Sequence, residues 1–399
     1  MPRTNVDNPF GRAPRVLVVN WLYSPEYGGG AQQSRLLLRH LALRGAEVEV
    51  LARTRRRTLL GETVVDGVRV TRVPDGNGQV GLRLRTGLAL VAAVARRRNW
   101  ADIVHTFGFM PEVALAARMA GKRLVQKVTL VGLDDAASLH RRRLGAAAAH
   151  IAKMADAVVG SSQAAITHSL AGGIPAHRLW AIPNGVDLHR FRPASPRERQ
   201  SLRRMLGLGE HAFLVVFVGL PEPRKGLDVA LDALASVRAH GLRSAELVVV
   251  GPPPMAFPDH PFSQELMGLV RKRRLAEVVH FVGIRQNVED YLRCADVFVL
   301  PSRAEGQPNA LLEAMACGLP SVARRLEGIT DELLLGGRRG YLVDRDDVSD
   351  FTQALMELSE APQLRSSLGM EARAYIERHH DIRRVAEAHW TLYQTLMDA

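Results

Sequence analysis

One pattern governs what this chain can fold into: short apolar, β-branched runs alternate with helical stretches, the alternation stops once, and then it starts again. The first series opens with R-V-L-V-V-N at 15–20 and returns at 47–52, 67–73, 102–106, 123–129, 157–160 and 179–183. Between the first two runs, Leu36, Leu37, Leu38, Leu41 and Leu43 carry helical spacing up to Gly45. Such continuous apolar runs suit strands buried on both faces, which belong to parallel sheets whose crossovers lay helices on each side. Residues 188–210 then turn charged and proline-containing, and a second series follows at 213–218, 246–251, 279–282, 297–300, 321–323 and 340–343. A 399-residue chain calls for two domains. The expected fold class is α/β: two doubly wound, Rossmann-like domains facing each other across a cleft. The expected boundaries are a loose tail at 1–14, a first domain at 15–187, a linker at 188–210, a second domain at 211–380, and a last helix at 381–399 that can pack back on the first domain.

Composition excludes several classes. No apolar run approaches the ~20 residues that span a bilayer, and the start, Met1-Pro2-Arg3-Thr4-Asn5, lacks a signal-peptide core, so the expected location is cytoplasmic. Cys294 and Cys317 sit in apolar segments, as buried free thiols do, and no Cys/His cluster suggests zinc. The first strands of the two series carry neither G-x-G-x-x-G nor a P-loop, which argues against a dinucleotide oxidoreductase. The outlier is a net charge of +12, which admits nucleic acid, an anionic membrane surface or phosphorylated ligands. Much of it is arginine in clusters at 55–57, 96–98, 141–143 and 271–274, where solvated helix ends are the plain explanation. Nucleic acid is disfavoured by 5% aromatic residues and the absence of a helix-turn-helix pattern.

The densest chemistry lies at 297–318. An apolar strand leads into the loop Pro301-Ser302-Arg303-Ala304-Glu305-Gly306-Gln307, then Pro308 as the first residue of a helix closed by Gly318. That helix is apolar on nearly every face, so Glu313 is held inside and needs donors, and a vicinal diol such as a ribose 2′,3′-pair offers two. Glu305, beside Gly306 and ahead of a helix start, suits sugar or phosphate oxygens, with a surface carboxylate as the plain alternative. Arg224 and Lys225 end the loop after the first strand of the second series, where a fork and a point charge at a helix start suit a diphosphate. Gly283 would let backbone approach a flat ligand such as a base. In the first domain the candidates are Gly28, Gly29 and Gly30, His105, and the pair Asp134-Asp135, which is weak as a metal site. The run 344–347 is most simply a turn.

These motifs together resemble glycosyltransferase family four, the retaining nucleotide-sugar enzymes of the GT-B fold. The likeness rests on G-G-G-A-Q at 28–32, A-D-I-V-H at 101–105, P-N-G-V-D at 183–187 with Arg190-Phe191, R-K-G at 224–226, F-V-G at 281–283, and above all the two glutamates with seven residues between them at 305 and 313. The resemblance implies that Glu313 holds the donor ribose and Glu305 the donor sugar, with Gly306, Gln307, Leu311 and Leu312 also along the donor. Arg224 and Lys225 would meet the diphosphate, Gly28 to Gly30 would close over the phosphates, and His105 would sit near the transferred sugar. It further implies retention of configuration, no metal or cofactor, and a carbohydrate or lipid-linked acceptor in bacterial envelope glycolipid or polysaccharide synthesis, on the inner membrane face if the acceptor is lipid-linked. Two positions depart from the family pattern: Leu220 stands where an arginine is common, leaving its role to Arg224, and Phe107 stands where many members carry a second histidine. Epimerases and phosphorylases on the same architecture are the alternative reading.

Overall fold

The computed structural model describes residues 12–26, 28–76, 80–139, 145–344 and 348–399. Most of the expected tail, the arginine cluster at 141–143 and residues 345–347 of the run at 344–347 lie outside them. The chain divides into two compact units, Met1–Gly185 with Ile382–Ala399, and Val186–Asp381.

The first unit is built on β1 (Arg15–Asn20), β2 (Glu47–Thr54), β3 (Gly61–Val65), β4 (Val68–Pro74), β5 (Ile103–Phe107), β6 (Arg123–Val128), β7 (Ala157–Gly160) and β8 (Leu179–Ala181). Its sheet runs β3-β4-β2-β1-β5-β6-β7-β8 and is parallel except for β3, an antiparallel edge strand turned back through Asp66 at φ +50° and Gly67 at φ +80°. β3 is absent from the sequence reading because nearly all of its side chains are exposed and no apolar run marks it. Helices α1 (Gly29–Leu43), α2 (Val80–Arg96), α3 (Pro111–Met119), α4 (Ala136–Leu139), α5 (Gly145–Ala152) and α6 (Gln163–Ala171) complete this part of the unit. The terminal helix, Ile382–Asp398, joins the same core, where Val385, Ala386, Trp390 and Tyr393 meet Val16, Val18 and Ile103. On the other face, Leu90, Val94, Val113 and Ala117 of α2 and α3 pack against Leu17, Val19 and Leu51.

The second unit holds β9 (Phe213–Val218), β10 (Ala245–Val250), β11 (Val279–Gly283), β12 (Val297–Leu300), β13 (Ser321–Arg324) and β14 (Tyr341–Val343). All are parallel, in the order β11-β10-β9-β12-β13-β14. This is the doubly wound order, with its reversal between β9 and β12. The helices are α7 (Pro196–Leu206), α8 (Leu227–Ala239), α9 (Pro261–Lys272), α10 (Val288–Cys294), α11 (Asn309–Ala316), α12 (Thr330–Leu334), α13 (Val348–Glu360) and α14 (Pro362–His379). Residues 188–210, read from sequence as a linker, are part of this unit. α7 has a Ser195–Glu198 capping box, and its buried Arg203 donates to Asp296 Oδ2 at 2.7 Å and to the Cys294 carbonyl at 3.0 Å. The charge that suggests a linker is consumed in fastening the helix. Cys294 and Cys317 are buried free thiols.

Candidate functional site

In open α/β sheets ligands bind beyond the carboxyl ends of the strands where the order reverses. In the second unit that places the loops 219–226 and 301–308 side by side, because β9 and β12 are neighbours with Val215 beside Val297. Two features lock the loops together. Gly226 adopts φ +70°, and a Cβ there would lie 2.2 Å from the Pro301 carbonyl oxygen, so only glycine permits this approach. Arg303 then spans the pair, its amide on the Arg224 carbonyl at 2.7 Å and its guanidinium bidentate on Asp228 at 2.7 and 3.1 Å.

On this frame Lys225 Nζ lies 2.6 Å from Glu305 Oε1, and Arg224 Nη1 lies 3.7 Å from Glu305 Oε2 while its Nε holds Glu222 at 2.9 Å. The Glu305 side chain is only 7% exposed, so it is not a surface carboxylate. The residues read as sugar and diphosphate contacts thus form one ion-pair cluster at the crevice. An anion drawn to Arg224 and Lys225 competes with Glu305 for them.

Glu313 sits in α11 between core residues: Leu311, Leu312, Ala314, Met315 and Ala316 are fully buried. Its carboxylate is half-buried and accepts no hydrogen bond from the described residues. Burial pushes its pKa up to about 7, opposed by the positive charge of Arg190 and assisted by the negative charge of Glu289. Arg190 is itself engaged with Glu289 Oε2 at 2.7 Å and the Gln286 carbonyl. Pro308 proves to be the N-cap of α11 rather than its first residue. Leu311 and Leu312 present nothing to a ligand: their side chains lie in the core and both amides point to the Pro308 carbonyl, at 3.1 and 3.2 Å. Gly306 is buried and Gln307 half-buried in the loop before the helix. Gly283 has φ +79° with open space where a side chain would be.

The first unit treats its candidates differently. α1 begins at Gly29, so the glycine stretch is an N-cap and first turn rather than a free loop, with no side chain capping it. His105 is a core residue. Alternation along β5 turns it inward with Phe107, ring centroids 4.9 Å apart, and its Nδ1 is 2.7 Å from the Tyr393 hydroxyl of the terminal helix. It is 0% exposed, so it lines no accessible surface, and burial together with His389 and Lys127 holds its pKa well below the usual histidine range. Asp134 and Asp135 shape a turn: Asp134 takes the amides of Thr129 and Leu130 at 2.9 Å, and Asp135 those of Gly132 and Ser138 at 2.6 and 2.9 Å. Among the described residues no group of three or more His, Cys, Asp or Glu is placed to hold a metal.

Some groups escape a reading by motif. Lys127 on β6 is buried, its Nζ on Asn184 Oδ1 at 2.8 Å, and burial pushes its pKa down to about 7. Gln33 of α1 clamps Gly185 through both backbone groups, at 2.8 and 3.1 Å. Trp21, 48% exposed, lies under the Arg53 guanidinium at 4.0 Å, which Glu112 holds at 2.5 Å. Only the glycine after Arg224-Lys225 signals in sequence that two loops must touch there.

Comparison with known proteins bears on the family and the fold. The family model described as Glycosyl transferases group 1 matches residues 212–361, and that described as Glycosyltransferase Family 4 matches residues 27–190. A D-inositol 3-phosphate glycosyltransferase of Acidothermus cellulolyticus is 32% identical over 370 residues, covering 86% of this chain and 80% of that protein. Another of that description, from Xylanimonas cellulosilytica, is 32% identical and covers 93% of this chain and 94% of its own length. Among solved structures, HepE of Anabaena in complex with UDP and glucose superposes with a TM-score of 0.78 at 21% identity, covering 97% of this chain and all of that one. Sucrose-phosphate synthase of Thermosynechococcus elongatus gives 0.79 at 20% identity, covering 96% and 99%. At such identity the structural likeness shows the fold.

Proposed function

The chain belongs to glycosyltransferase family four, with the GT-B fold, and from that premise we propose that it transfers a sugar, with retention of configuration, from a nucleoside-diphosphate donor bound at the crevice of the second unit. One observation carries the reading: the partly accessible, unpartnered Glu313 and the Lys225–Arg224–Glu305 cluster share one α/β unit, on or beside the paired loops at its strand reversal. Glu313 supplies an acceptor pair for a ribose diol. Arg224 and Lys225 supply two cations for the diphosphate. As the glycosidic bond breaks, the leaving diphosphate gathers negative charge. The loop that carries them is held by Gly226 and by Arg303 on Asp228, so the cations are in place before that charge develops, which is how preorganised groups lower a barrier. In this reading Glu305 leaves Lys225 to contact the donor sugar. His105 supports the core and acts on the reaction only through packing.

Relatives named D-inositol 3-phosphate glycosyltransferase make that cyclitol phosphate the first acceptor to try, and the UDP seen in HepE makes UDP-sugars the first donors. A thermal-shift screen of nucleoside diphosphates and their sugars tests the donor site, since a ligand at ~100 times its dissociation constant adds about 2.7 kcal/mol of stability. Release of nucleoside diphosphate only when acceptor is added then marks a transferase. Release without acceptor, or interconversion of the sugar, points to the epimerase or phosphorylase reading. No stabilisation by any nucleotide overturns the donor site.

A further inference from the structure

The surplus positive charge is confined to one unit. Met1–Gly185 with Ile382–Ala399 carries 28 Lys and Arg against 14 Asp and Glu, while Val186–Asp381 carries 25 against 27. The diphosphate cations lie in the second unit, so a donor does not account for the excess in the first.

Part of that excess surrounds an apolar surface. α2 and α3 pack on the same face of the first sheet through Leu90, Ala93, Val94, Val113 and Ala117. Their opposite sides expose Leu84 (66%), Leu88 (61%), Leu115 (41%) and Met119 (87%). Leu84 and Leu88 are one turn apart on α2, as Leu115 and Met119 are on α3, so each helix carries an apolar ridge outward. The middle of α2 lies beside the first turn of α3, where a Cβ at Gly87 would lie 4.0 Å from Glu112 Cγ. α2 contains no Asp or Glu. Arg85, Arg96 and Arg98, along this helix and just beyond its end, are exposed and have no carboxylate partner among the described residues. Glu112, the acidic residue of the adjoining turn, is committed to Arg53. Both helices follow strands, so their amino ends lie at the sheet edge that bears Trp21.

We propose that the outer face of α2 and α3 docks on an anionic lipid surface, with Leu84, Leu88, Leu115 and Met119 entering the headgroup boundary and Arg85, Arg96 and Arg98 meeting lipid phosphates. Exposed aliphatic ridges flanked by unpaired arginine are what such an interface requires. They give nucleic acid nothing to stack on, because bases are held by aromatic side chains. No helix of the described residues is long and apolar enough to cross a membrane, so the attachment would be to the surface.

The test is sedimentation of the full chain with phosphatidylcholine vesicles, with and without phosphatidylglycerol. The expected result is binding to the anionic vesicles, weakened by salt. Each arginine near an anionic surface contributes about fivefold, so R85Q/R96Q/R98Q should lower partitioning at least tenfold, and L84S/L88S should lower it at every salt concentration. All five side chains are exposed, so both variants should keep the wild-type melting temperature. Equal binding to both vesicle types, no binding to either, or wild-type partitioning of both variants overturns the proposal. So does a salt-sensitive shift of RNA at physiological ionic strength without vesicle binding. No outcome depends on catalysis, so failure here leaves the donor-site reading standing.

Discussion

The two units reverse their strand order in the same manner and bury opposite things near that reversal. In the second unit an acidic side chain, Glu313, stays half-buried without a donor, while Lys225, Arg224 and Glu305 pair at the crevice rim. In the first unit a basic side chain, Lys127, is sealed inside with Asn184, and His105 and His389 stack nearby at 5.8 Å. Both regions contain perturbed groups and buried polar atoms. They differ in access: His105 Nε2 and His389 Nε2 lack partners in a closed core, whereas Glu313 lacks one at a half-buried position of α11. A strand reversal is therefore only a location, and an unsatisfied group that a ligand can reach is the stronger sign of a site.

The sharpest way to break that contrast is by substitution in each unit. Lys225→Ala should lower kcat about a hundredfold, roughly 3 kcal/mol of barrier, with the melting temperature nearly unchanged. Glu313→Ala should act mainly on donor affinity and also leave the fold intact. His105→Ala should do the reverse, costing stability because it opens a cavity beside Phe107 and Tyr393. Kinetics and melting curves on the three variants decide it. A His105→Ala protein that melts normally but turns over slowly would move the chemistry to the first unit.

Glycines offer a second, somewhat smaller contrast. Gly226→Ala places a methyl group on the Pro301 carbonyl at a φ that L-residues avoid, and should cost about 2 kcal/mol or more by spreading the two loops. Gly30→Ala, in the first turn of α1 with nothing within 4 Å, should be neutral or gain up to ~1 kcal/mol. Chemical denaturation measures both. Equal costs at the two positions would mean that the glycine stretch of the first unit is as constrained as the loop pair of the second.

Much of this was legible in the residues. Buried strands announce themselves because parallel β requires apolar runs, and 297–300 with the glutamates beyond it could be placed at a sheet edge without coordinates. β3 was not legible, since an exposed edge strand has no apolar face to display. The role of 188–210 was hidden for a related reason: charge there reads as solvation, but Arg203 spends its charge on buried Asp296. His105 shows a third limit. A histidine near a strand end faces the crevice or the core according to strand alternation and to what covers that face, and its cover, the terminal helix, lies 288 residues away in sequence. The Lys225–Glu305 pair joins loops 80 residues apart, so local pattern supplied both partners and not their contact.

The pH dependence of stability tests the contrast most directly, because the two buried charges should bend it in opposite directions. Glu313 ionises at about 7 in the folded chain against 4.5 ordinarily, so between those values the unfolded chain has already released the proton that the folded chain keeps. Stability should fall as pH rises through that window, by ~1 kcal/mol once its partial exposure is allowed for. Lys127 loses its proton at about 7 when folded against 10.5 ordinarily, so the unfolded chain holds more protons between them and stability should rise with pH, by about 2 kcal/mol. Glu313→Gln should flatten the fall below neutrality and leave the alkaline rise. Lys127→Met should flatten the rise and leave the fall. Denaturation midpoints from pH ~4 to ~10 read both slopes, and slopes of the same sign in the wild-type chain would show that the two units do not bury opposite charges.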